Sequence, residues 1–250
     1  MENTERFSNR VDNYVKYRPT YPKQVITWLQ SAINFTEQSV VADIGSGTGI
    51  STQLFLQNGN QVFAVEPNGP MREKAEALLE NFPSFISVNG TAENTTLLPE
   101  SIDLIIAAQA FHWFNNEQTK NEFKRILKPE GYVALIWNER QVETNFEIAY
   151  ENLLLEYGTD YASVNHRNVD VNKIATFFSP NKFEQAIFGN DQKFDFEGLK
   201  GRMLSSSYIP LEKNEKFNEM MADLQLIFDQ YEQNDIVTFG FETNVYVGKL

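Results

Sequence analysis

The sequence contains no cysteine and only two histidines. The absence of cysteine excludes disulfide bonds, thiolate metal sites and a cysteine nucleophile. The two histidines, His112 and His166, lie far apart along the chain, which disfavours a histidine-rich metal site. We therefore expect no bound metal ion.

Positive charge is also scarce. The 250 residues include 21 Lys and Arg against 34 Asp and Glu, which gives a net charge of −13. A field of this sign opposes non-specific binding to nucleic acids and to anionic membranes. Because the lysines and arginines form no basic stripe, we expect a small-molecule substrate, and neither nucleic acid nor membrane as a partner.

The chain has no long apolar run. No stretch approaches the ~18 apolar residues of a transmembrane helix. Residues 1–10 are polar and charged, without the apolar core of a secretion signal. These features favour a cytoplasmic protein.

The most informative stretch that is present contains three alternating glycines. An apolar run over 40–44 leads directly into Gly45, Gly47 and Gly49. This pattern predicts a buried strand over 40–44, a glycine-rich turn and a helix over 48–57. Glycine permits the close approach of a ligand, and the free N–H groups of a helix start favour negative ligand groups.

Strand and helix patterns alternate as far as residue 140. The further strands predicted in this part are 62–65, 85–88, 102–108 and 132–138, and the helices between them include 71–81 and 117–127. This alternation predicts an α/β fold with a doubly wound, mostly parallel sheet and helices on both faces.

The pattern after residue 140 is mainly helical. It predicts helices over 145–158, 170–178, 194–204 and 213–232, and β-structure over 183–188 and near 237–248. No linker is visible, so we predict one domain over 1–250. Its parts are an N-terminal helical lid over 1–36, a cofactor-binding core over 37–140, helical insertions with strand six over 141–235, and a C-terminal strand region over 236–250.

An acidic residue ends the second predicted strand. Glu66 lies 21 residues after Gly45. A carboxylate at this spacing is placed to accept hydrogen bonds from the hydroxyls of a ribose. A solvent-facing strand end is the alternative, but the spacing and the glycines together favour the ribose.

The position of the third glycine separates two classes of ligand. A dinucleotide site requires G-x-G-x-x-G, which would place a glycine at Ile50, whereas the glycine falls at Gly49. Asp43, just before the turn, would repel a pyrophosphate but tolerates an ammonium and a sulfonium. S-adenosylmethionine has both groups, and it also has the ribose and adenine that Glu66 and the turn over 91–93 are placed to bind.

Aromatic residues and a histidine follow the fourth predicted strand over 109–114. Ligands of open α/β sheets bind at the carboxyl ends of parallel strands. His112 is therefore a candidate general base for a hydroxyl or amine acceptor, with a structural histidine as the alternative. A carboxylate acceptor needs no base and would be held by arginines, for which the candidates are Arg18, Arg140 and Arg167.

The segment over 7–21 has two interpretations. One is an N-terminal helix that is ended by Pro19. The other is a lid whose Tyr14, Tyr17 and Arg18 face a polar ligand.

Several of these motifs together resemble the class I S-adenosylmethionine-dependent methyltransferases. The resemblance lies in Asp43–Gly49, Glu66–Pro67, Gly90–Glu93 and the strand that ends at Ala108. Three further stretches are similar to the branch that includes methyltransferase type 11 and trans-aconitate methyltransferase-like proteins: Arg18–Pro22, Ala108–Trp113 and Leu127–Gly131. The resemblance covers about 7–138 and is loose beyond it.

The resemblance implies a Rossmann-like, seven-stranded sheet whose last strand is antiparallel, with a helical insertion or lid after strand five. Strands six and seven would be 183–188 and 244–247. The implied cofactor-binding residues are Asp43, Gly45, Ser46, Gly47, Gly49, Glu66, Pro67, Met71, Thr91, Ala92, Glu93 and Gln109. The substrate-binding candidates are Tyr14, Arg18, Tyr21, Trp113, Trp137, Arg140, Arg167 and Tyr208, with His112 as the catalytic candidate.

The resemblance implies transfer of a methyl group from S-adenosylmethionine to a small molecule by in-line displacement, at a carboxylate, a hydroxyl or an amine. No Asn-Pro-Pro-Tyr or Asp-Pro-Pro-Tyr motif follows strand four, which disfavours methylation of nucleobase or glutamine nitrogens. An NAD-dependent oxidoreductase, a cofactor-binding protein without catalysis and a related chemistry on the same fold remain the alternatives.

Overall fold

The computed structural model describes residues 16–114, 116–159, 161, 171–210 and 212–250. Its centre is a seven-stranded sheet with the strand order β3-β2-β1-β4-β5-β9-β6. The strands of this sheet are β1 (Val41–Ile44), β2 (Val62–Val65), β3 (Phe85–Val88), β4 (Ile102–Ala108), β5 (Leu127–Arg140), β6 (Phe183–Gly189) and β9 (Phe241–Gly248).

One strand of this sheet runs against the others. Strands β1 to β5 pair in parallel, whereas β9 lies between β5 and β6 and is antiparallel to both. The predicted mostly parallel, seven-stranded sheet with an antiparallel last strand is therefore confirmed. Strand β6 begins at Phe183 as predicted, and β9 is longer than the predicted 244–247.

Helices pack on both faces of the sheet. In β4, Ile105 and Ala107 belong to one core cluster, and Leu104 and Ile106 belong to the opposite one. A strand that is buried on both faces is typical of a doubly wound sheet. The helices are α1 (Gln24–Ile33), α2 (Ile50–Gln57), α3 (Gly69–Leu79), α4 (Glu117–Ile126), α5 (Asn145–Tyr157), α6 (Val171–Phe178), α7 (Phe196–Leu204) and α8 (Phe217–Tyr231).

A third core cluster joins α5, α7 and α8 and is built around Tyr150, Leu224 and Phe239. It includes a small antiparallel sheet of β7 (Gln192–Phe194) and β8 (Val237–Phe239). The sequence predicts a polar turn followed by a helix that begins at Phe194. The structure instead has strand β7 over Gln192–Phe194 and a helix, α7, that begins at Phe196. Strand β7 has only three residues, too few for its alternation of apolar and polar residues to be recognised in the sequence. Helix α7 begins two residues later than predicted because Asp195 caps it by accepting from the N–H of Gly198 at 2.7 Å.

The start of β5 also differs from the prediction. The strand begins at Leu127, but its pairing with β4 is irregular, since Ile102 pairs with Leu127 and Leu104 pairs with Tyr132. The intervening residues 128–131, which the prediction leaves between the helix over 117–127 and the strand over 132–138, thus form a bulge within the strand. Among the helices of the described residues, none combines the length and apolar character that a membrane crossing requires.

Candidate functional site

A cavity of about 380 Å³ opens at the carboxyl ends of the parallel strands. This volume lies within the range of small-molecule sites. The cavity brings together residues from the turn after β1, the end of β2, the 91–93 turn, the segment after β4 and the end of β5. From outside the core it adds Arg18 and Tyr21 near the N-terminus and Arg202 and Tyr208 in and after α7.

The glycine turn, residues 45–49, connects β1 to α2. Its glycines all have positive φ angles, 70° at Gly45, 57° at Gly47 and 85° at Gly49, which other residues rarely adopt. The N–H groups of Gly45 and Ser46 both donate to the carbonyl of Val65, at 2.9 and 3.2 Å. The end of β1 is therefore fixed against the end of β2.

The glycines differ in what surrounds them. A Cβ atom on Gly45 would lie 2.8 Å from Cβ of Ala110, and one on Gly49 would lie 2.6 Å from Cδ1 of Leu79. A Cβ atom on Gly47 would meet no atom of the described residues within 4 Å. Gly47 thus leaves ligand space open, whereas Gly49 packs against α3 and is not among the residues that line the cavity, so its predicted contact with a cofactor stays a prediction.

Asp43 is fully buried behind the turn. Its Oδ2 atom accepts from Ser51 Oγ at 2.6 Å and from Thr52 Oγ1 at 2.7 Å, so it connects β1 to the first turn of α2. Burial raises the pKa of this carboxyl to about 6. Asp43 is not among the residues that line the cavity, and its hydrogen bonds support the turn; its predicted contact with the cofactor stays a prediction.

Glu66 does line the cavity, with an exposure of 8%. Its Oε2 atom accepts from the N–H of Gly47 at 2.9 Å, and its Oε1 atom accepts from the N–H of Asn68 at 2.8 Å. Burial raises the pKa of Glu66, and the two backbone donors and the charge of Arg72 oppose that shift. Both carboxylate oxygens are held in place, and each keeps lone-pair capacity for a further donor.

The neighbouring residues complete this end of the cavity. Asn68 caps α3 by accepting from the N–H of Met71 at 3.0 Å, which places Pro67 and Met71 along the wall. Thr91 and Asn94 exchange backbone hydrogen bonds of 3.1 and 3.2 Å across the 91–93 turn. Thr91, Ala92 and Glu93 all line the cavity.

The segment after β4 contributes residues both to the core and to the cavity. Gln109 has a positive φ angle of 56°, and its Nε2 atom donates to the carbonyl of Asn138 at 2.6 Å. A 3₁₀ helix over Phe111–Trp113 follows, in which Phe111 is buried. His112 and Trp113 are exposed and line the cavity with their ring centroids 4.6 Å apart.

The prediction that Trp137 walls the acceptor pocket is wrong. Its side chain packs in the core against Phe111 and Tyr246, with ring centroids 6.1 and 6.3 Å away, and it is 4% exposed. The residues of β5 that do reach the cavity are the last three, Asn138, Glu139 and Arg140.

Two predicted arginines and two predicted tyrosines lie at the cavity. Arg18 donates from Nη2 to the carbonyl of Ser205 at 3.3 Å. Arg140 donates from Nη2 to Glu151 Oε2 at 2.5 Å, and its guanidinium lies 5.1 Å from the ring centre of Tyr150. Tyr21 and Tyr208 line the same space. The candidates Tyr14 and Arg167 lie outside the described residues.

Sequence reasoning missed Arg202. This residue belongs to α7, is 7% exposed and lines the cavity. Burial, together with the charge of Arg18, lowers the pKa of Arg202 to about 10. A signal was available, since Leu199, Arg202 and Met203 share one face of α7 and an arginine on an apolar face is unusual.

The comparisons with known proteins cover the segment that contains most of this site. The sequence model of the methyltransferase domain family matches residues 42–135, which include the glycine turn and Glu66. An uncharacterised methyltransferase of Schizosaccharomyces pombe is 28% identical over 244 residues, which cover 96% of this chain and 95% of the relative. One of Mycobacterium bovis is 36% identical over 134 residues, 54% of this chain and 52% of its own length.

Solved structures share the fold. A protein of Anaeromyxobacter dehalogenans named as a type II methyltransferase has a TM-score of 0.64 at 17% identity, covering 93% of this chain and 98% of that one. Phosphoethanolamine N-methyltransferase 2 of Haemonchus contortus, in complex with S-adenosyl-L-methionine, has a TM-score of 0.58 at 14% identity, covering 100% of this chain and 59% of that one. At these identities the likeness concerns the fold alone.

Proposed function

We propose that this chain, which belongs to the class I S-adenosylmethionine-dependent methyltransferases, transfers a methyl group from S-adenosylmethionine to a small organic acceptor bound in the same cavity. The observation that carries the proposal is the pairing of Gly47 with Glu66 at the wall of a cavity that also contains His112. The net charge of −13 favours a small molecule over a nucleic acid or a membrane surface.

The residues at the glycine turn fit this cofactor. The open space at Gly47 admits a ligand against the backbone. Asp43 Oδ1, Ser46 Oγ and Thr48 Oγ1 are buried polar atoms without a hydrogen-bond partner among the described residues. Buried polar atoms normally have partners, so this group is suited to the ammonium and carboxylate of a methionine moiety. The carboxylate of Glu66 is suited to the two ribose hydroxyls.

S-adenosylmethionine, when bound, supplies a methyl group on a positively charged sulfur. The protein contributes position and the exclusion of water. Glu66 would hold the ribose, Ala92 and Glu93 would border the adenine, and Met71 would pack against the adenine. Gln109 fixes the segment that presents His112 and Trp113 to the acceptor.

The role of His112 depends on the acceptor atom. A hydroxyl or an amine loses a proton during methyl transfer, and the exposed imidazole of His112 is the group in the cavity wall that accepts it. A carboxylate acceptor has no proton to lose, and the guanidinium groups of Arg18 and Arg140 then hold it in place.

Calorimetry with S-adenosylmethionine, S-adenosylhomocysteine and NAD⁺ tests this function. We expect the first two compounds to bind and NAD⁺ not to bind. Binding of NAD⁺ alone would replace the proposal by an oxidoreductase. Binding of S-adenosylmethionine without methyl transfer to any member of a panel of carboxylates, phenols and amines would favour a cofactor-binding protein without catalysis.

A further inference from the structure

Arg202 is a buried cation that lacks an acidic partner among the described residues. Its Nη1 atom donates only to Ser205 Oγ at 3.4 Å and Ser206 Oγ at 3.3 Å, and its Nε atom has no partner there. Hydrogen bonds of this length are weak. A buried charge is unfavourable unless it is paired, so this arrangement costs stability in the protein alone.

A structural arginine elsewhere in the chain shows the contrast. Arg125 donates from Nε and Nη2 to the two carboxylate oxygens of Glu122, both at 2.7 Å, although Arg125 is partly exposed. Arg202 is more deeply buried, and no carboxylate of the described part of the chain pairs with it. Ion pairing within the described residues therefore does not account for the burial of Arg202, whose guanidinium also lies 5.9 Å from the ring centre of Phe241.

The positive charges around Arg202 favour the binding of an anion beside its guanidinium. Arg18 and Arg140 are close enough to lower its pKa, while Tyr150 and Tyr208 raise it. The carboxylate of Glu151 is engaged by Arg140 at 2.5 Å and by the hydroxyl of Tyr161 at 2.7 Å. Arg18, Arg140 and Arg202 all line the cavity.

We propose that Arg202, together with Arg18 and Arg140, binds a carboxylate group of the acceptor. This subsite rests on the methyl-transfer function proposed above and narrows its acceptor to an organic acid. A guanidinium matches a carboxylate with two parallel hydrogen bonds, and Nε of Arg202 has no hydrogen-bond partner among the described residues. Ser207 and Tyr208, which line the same space, add hydroxyl groups.

The chain near the N-terminus holds this subsite together. A Cβ atom on Gly201 would lie 2.0 Å from Cε2 of Tyr17, so the ring of Tyr17 rests directly on α7. The next residue, Arg18, reaches the carbonyl of Ser205 just beyond the end of that helix. Arg18 and Arg202 are thus brought to one cavity from opposite ends of the sequence.

Calorimetry in the presence of saturating S-adenosylhomocysteine tests the subsite. The probes are succinate, tricarballylate and phenylacetate, the corresponding amides, and inorganic phosphate. The proteins are the wild type, Arg202→Met, and Lys128→Met as a control that removes one positive charge at a surface ion pair with Asp103, away from the cavity. We expect at least one acid to bind the wild type about tenfold more tightly than its amide.

Arg202→Met should weaken binding of that acid by about tenfold or more, whereas Lys128→Met should not change it. Both variants should bind S-adenosylhomocysteine like the wild type. Methionine is apolar and similar in length, so the melting temperature of Arg202→Met should equal or exceed that of the wild type. The acid should raise the melting temperature of the wild type and of Lys128→Met but not that of Arg202→Met.

Four results would overturn the proposal: no acid binds, the amides bind as well as the acids, only phosphate binds, or Arg202→Met keeps the affinity for the acid. A lower melting temperature of Arg202→Met with unchanged acid binding would assign Arg202 a structural role. Failure of S-adenosylhomocysteine to bind would instead contradict the function proposed above, so the two failures are distinguishable.

Discussion

The backbone N–H of Gly47 donates to Oε2 of Glu66 over 2.9 Å. This bond joins the turn after β1 to the end of β2. The open side of Gly47 and the carboxylate of Glu66 both border the same cavity. The structure therefore fixes relative to each other the two groups that we propose contact the methionine moiety and the ribose. Two of the predictions below test this relationship directly.

Replacement of Gly47 by valine should abolish binding of S-adenosylmethionine. The side chain would occupy the space that is open at this position, and a φ angle of 57° is unfavourable for valine by about 1–2 kcal/mol. Gly189→Val is the matched control, because Gly189 also has open space around it, has no positive φ angle and lies at the end of β6. Calorimetry should show lost binding in the first variant and normal binding in the second, and normal binding in both would contradict the role of the turn.

The variant Glu66→Gln should bind S-adenosylmethionine about tenfold or more weakly. A glutamine side chain has only one oxygen, so its NH₂ group would face the N–H of either Gly47 or Asn68. Isothermal titration of this variant, beside Glu184→Gln on the exposed surface of β6, measures the effect. Equal affinities in the wild type and Glu66→Gln would exclude Glu66 as the ribose-binding group.

Asp43 should make the stability of the ligand-free protein depend on pH. Burial raises its pKa from 3.8 to about 6. The folded protein therefore binds this proton more tightly than the unfolded chain, and the resulting stabilisation is complete below pH 3.8 and is lost as the pH rises to about 6. The full difference is on the order of 3 kcal/mol.

The variant Asp43→Asn should lack this part of the pH dependence, because asparagine does not titrate but can still accept from Ser51 and Thr52. Urea denaturation of both proteins at intervals between pH 4 and pH 7 measures the difference in free energy of unfolding. Parallel pH curves for the two proteins would show that Asp43 has an ordinary pKa.

His112→Ala should leave the affinity for S-adenosylmethionine unchanged and reduce turnover of a hydroxyl or amine acceptor by about a hundredfold. The imidazole lies in the cavity wall after β4, whereas the glycine turn is fixed by hydrogen bonds from Gly45 and Ser46 to Val65 and from Gly47 to Glu66. Calorimetry and a methyl-transfer assay over a pH series separate binding from catalysis. Full activity of the variant would remove the general-base role and would leave a carboxylate as the methylated group.

The proposed cofactor side of the cavity could be predicted from the sequence because its residues are close together along the chain. The glycine turn and Glu66 lie on two adjacent strands, and spacing alone relates them. The same local reasoning located β2, β3 and β4 with their observed bounds. It misplaced the start of β5, since a bulge is not visible in the hydrophobic pattern.

The proposed acceptor side of the cavity could be predicted only in part from the sequence. Arg202 and Tyr161 reach the cavity through the packing of α5, α7 and β8, which is a long-range property of the third core cluster. Trp137 was misassigned because β5 is buried on both faces, so hydrophobic alternation does not reveal which side chains point to the ligand. The separate functions of Gly47 and Gly49 depend on neighbours from α3 and were likewise invisible in the sequence.

A crystal structure of the protein with S-adenosylhomocysteine tests the central claim most directly. The account predicts that the ribose hydroxyls lie within hydrogen-bond distance of the Glu66 carboxylate, that the methionine moiety lies against Gly47, and that the sulfur faces the part of the cavity that His112 and Arg202 line. Binding of the molecule at another place, or a ribose that does not contact Glu66, would contradict it.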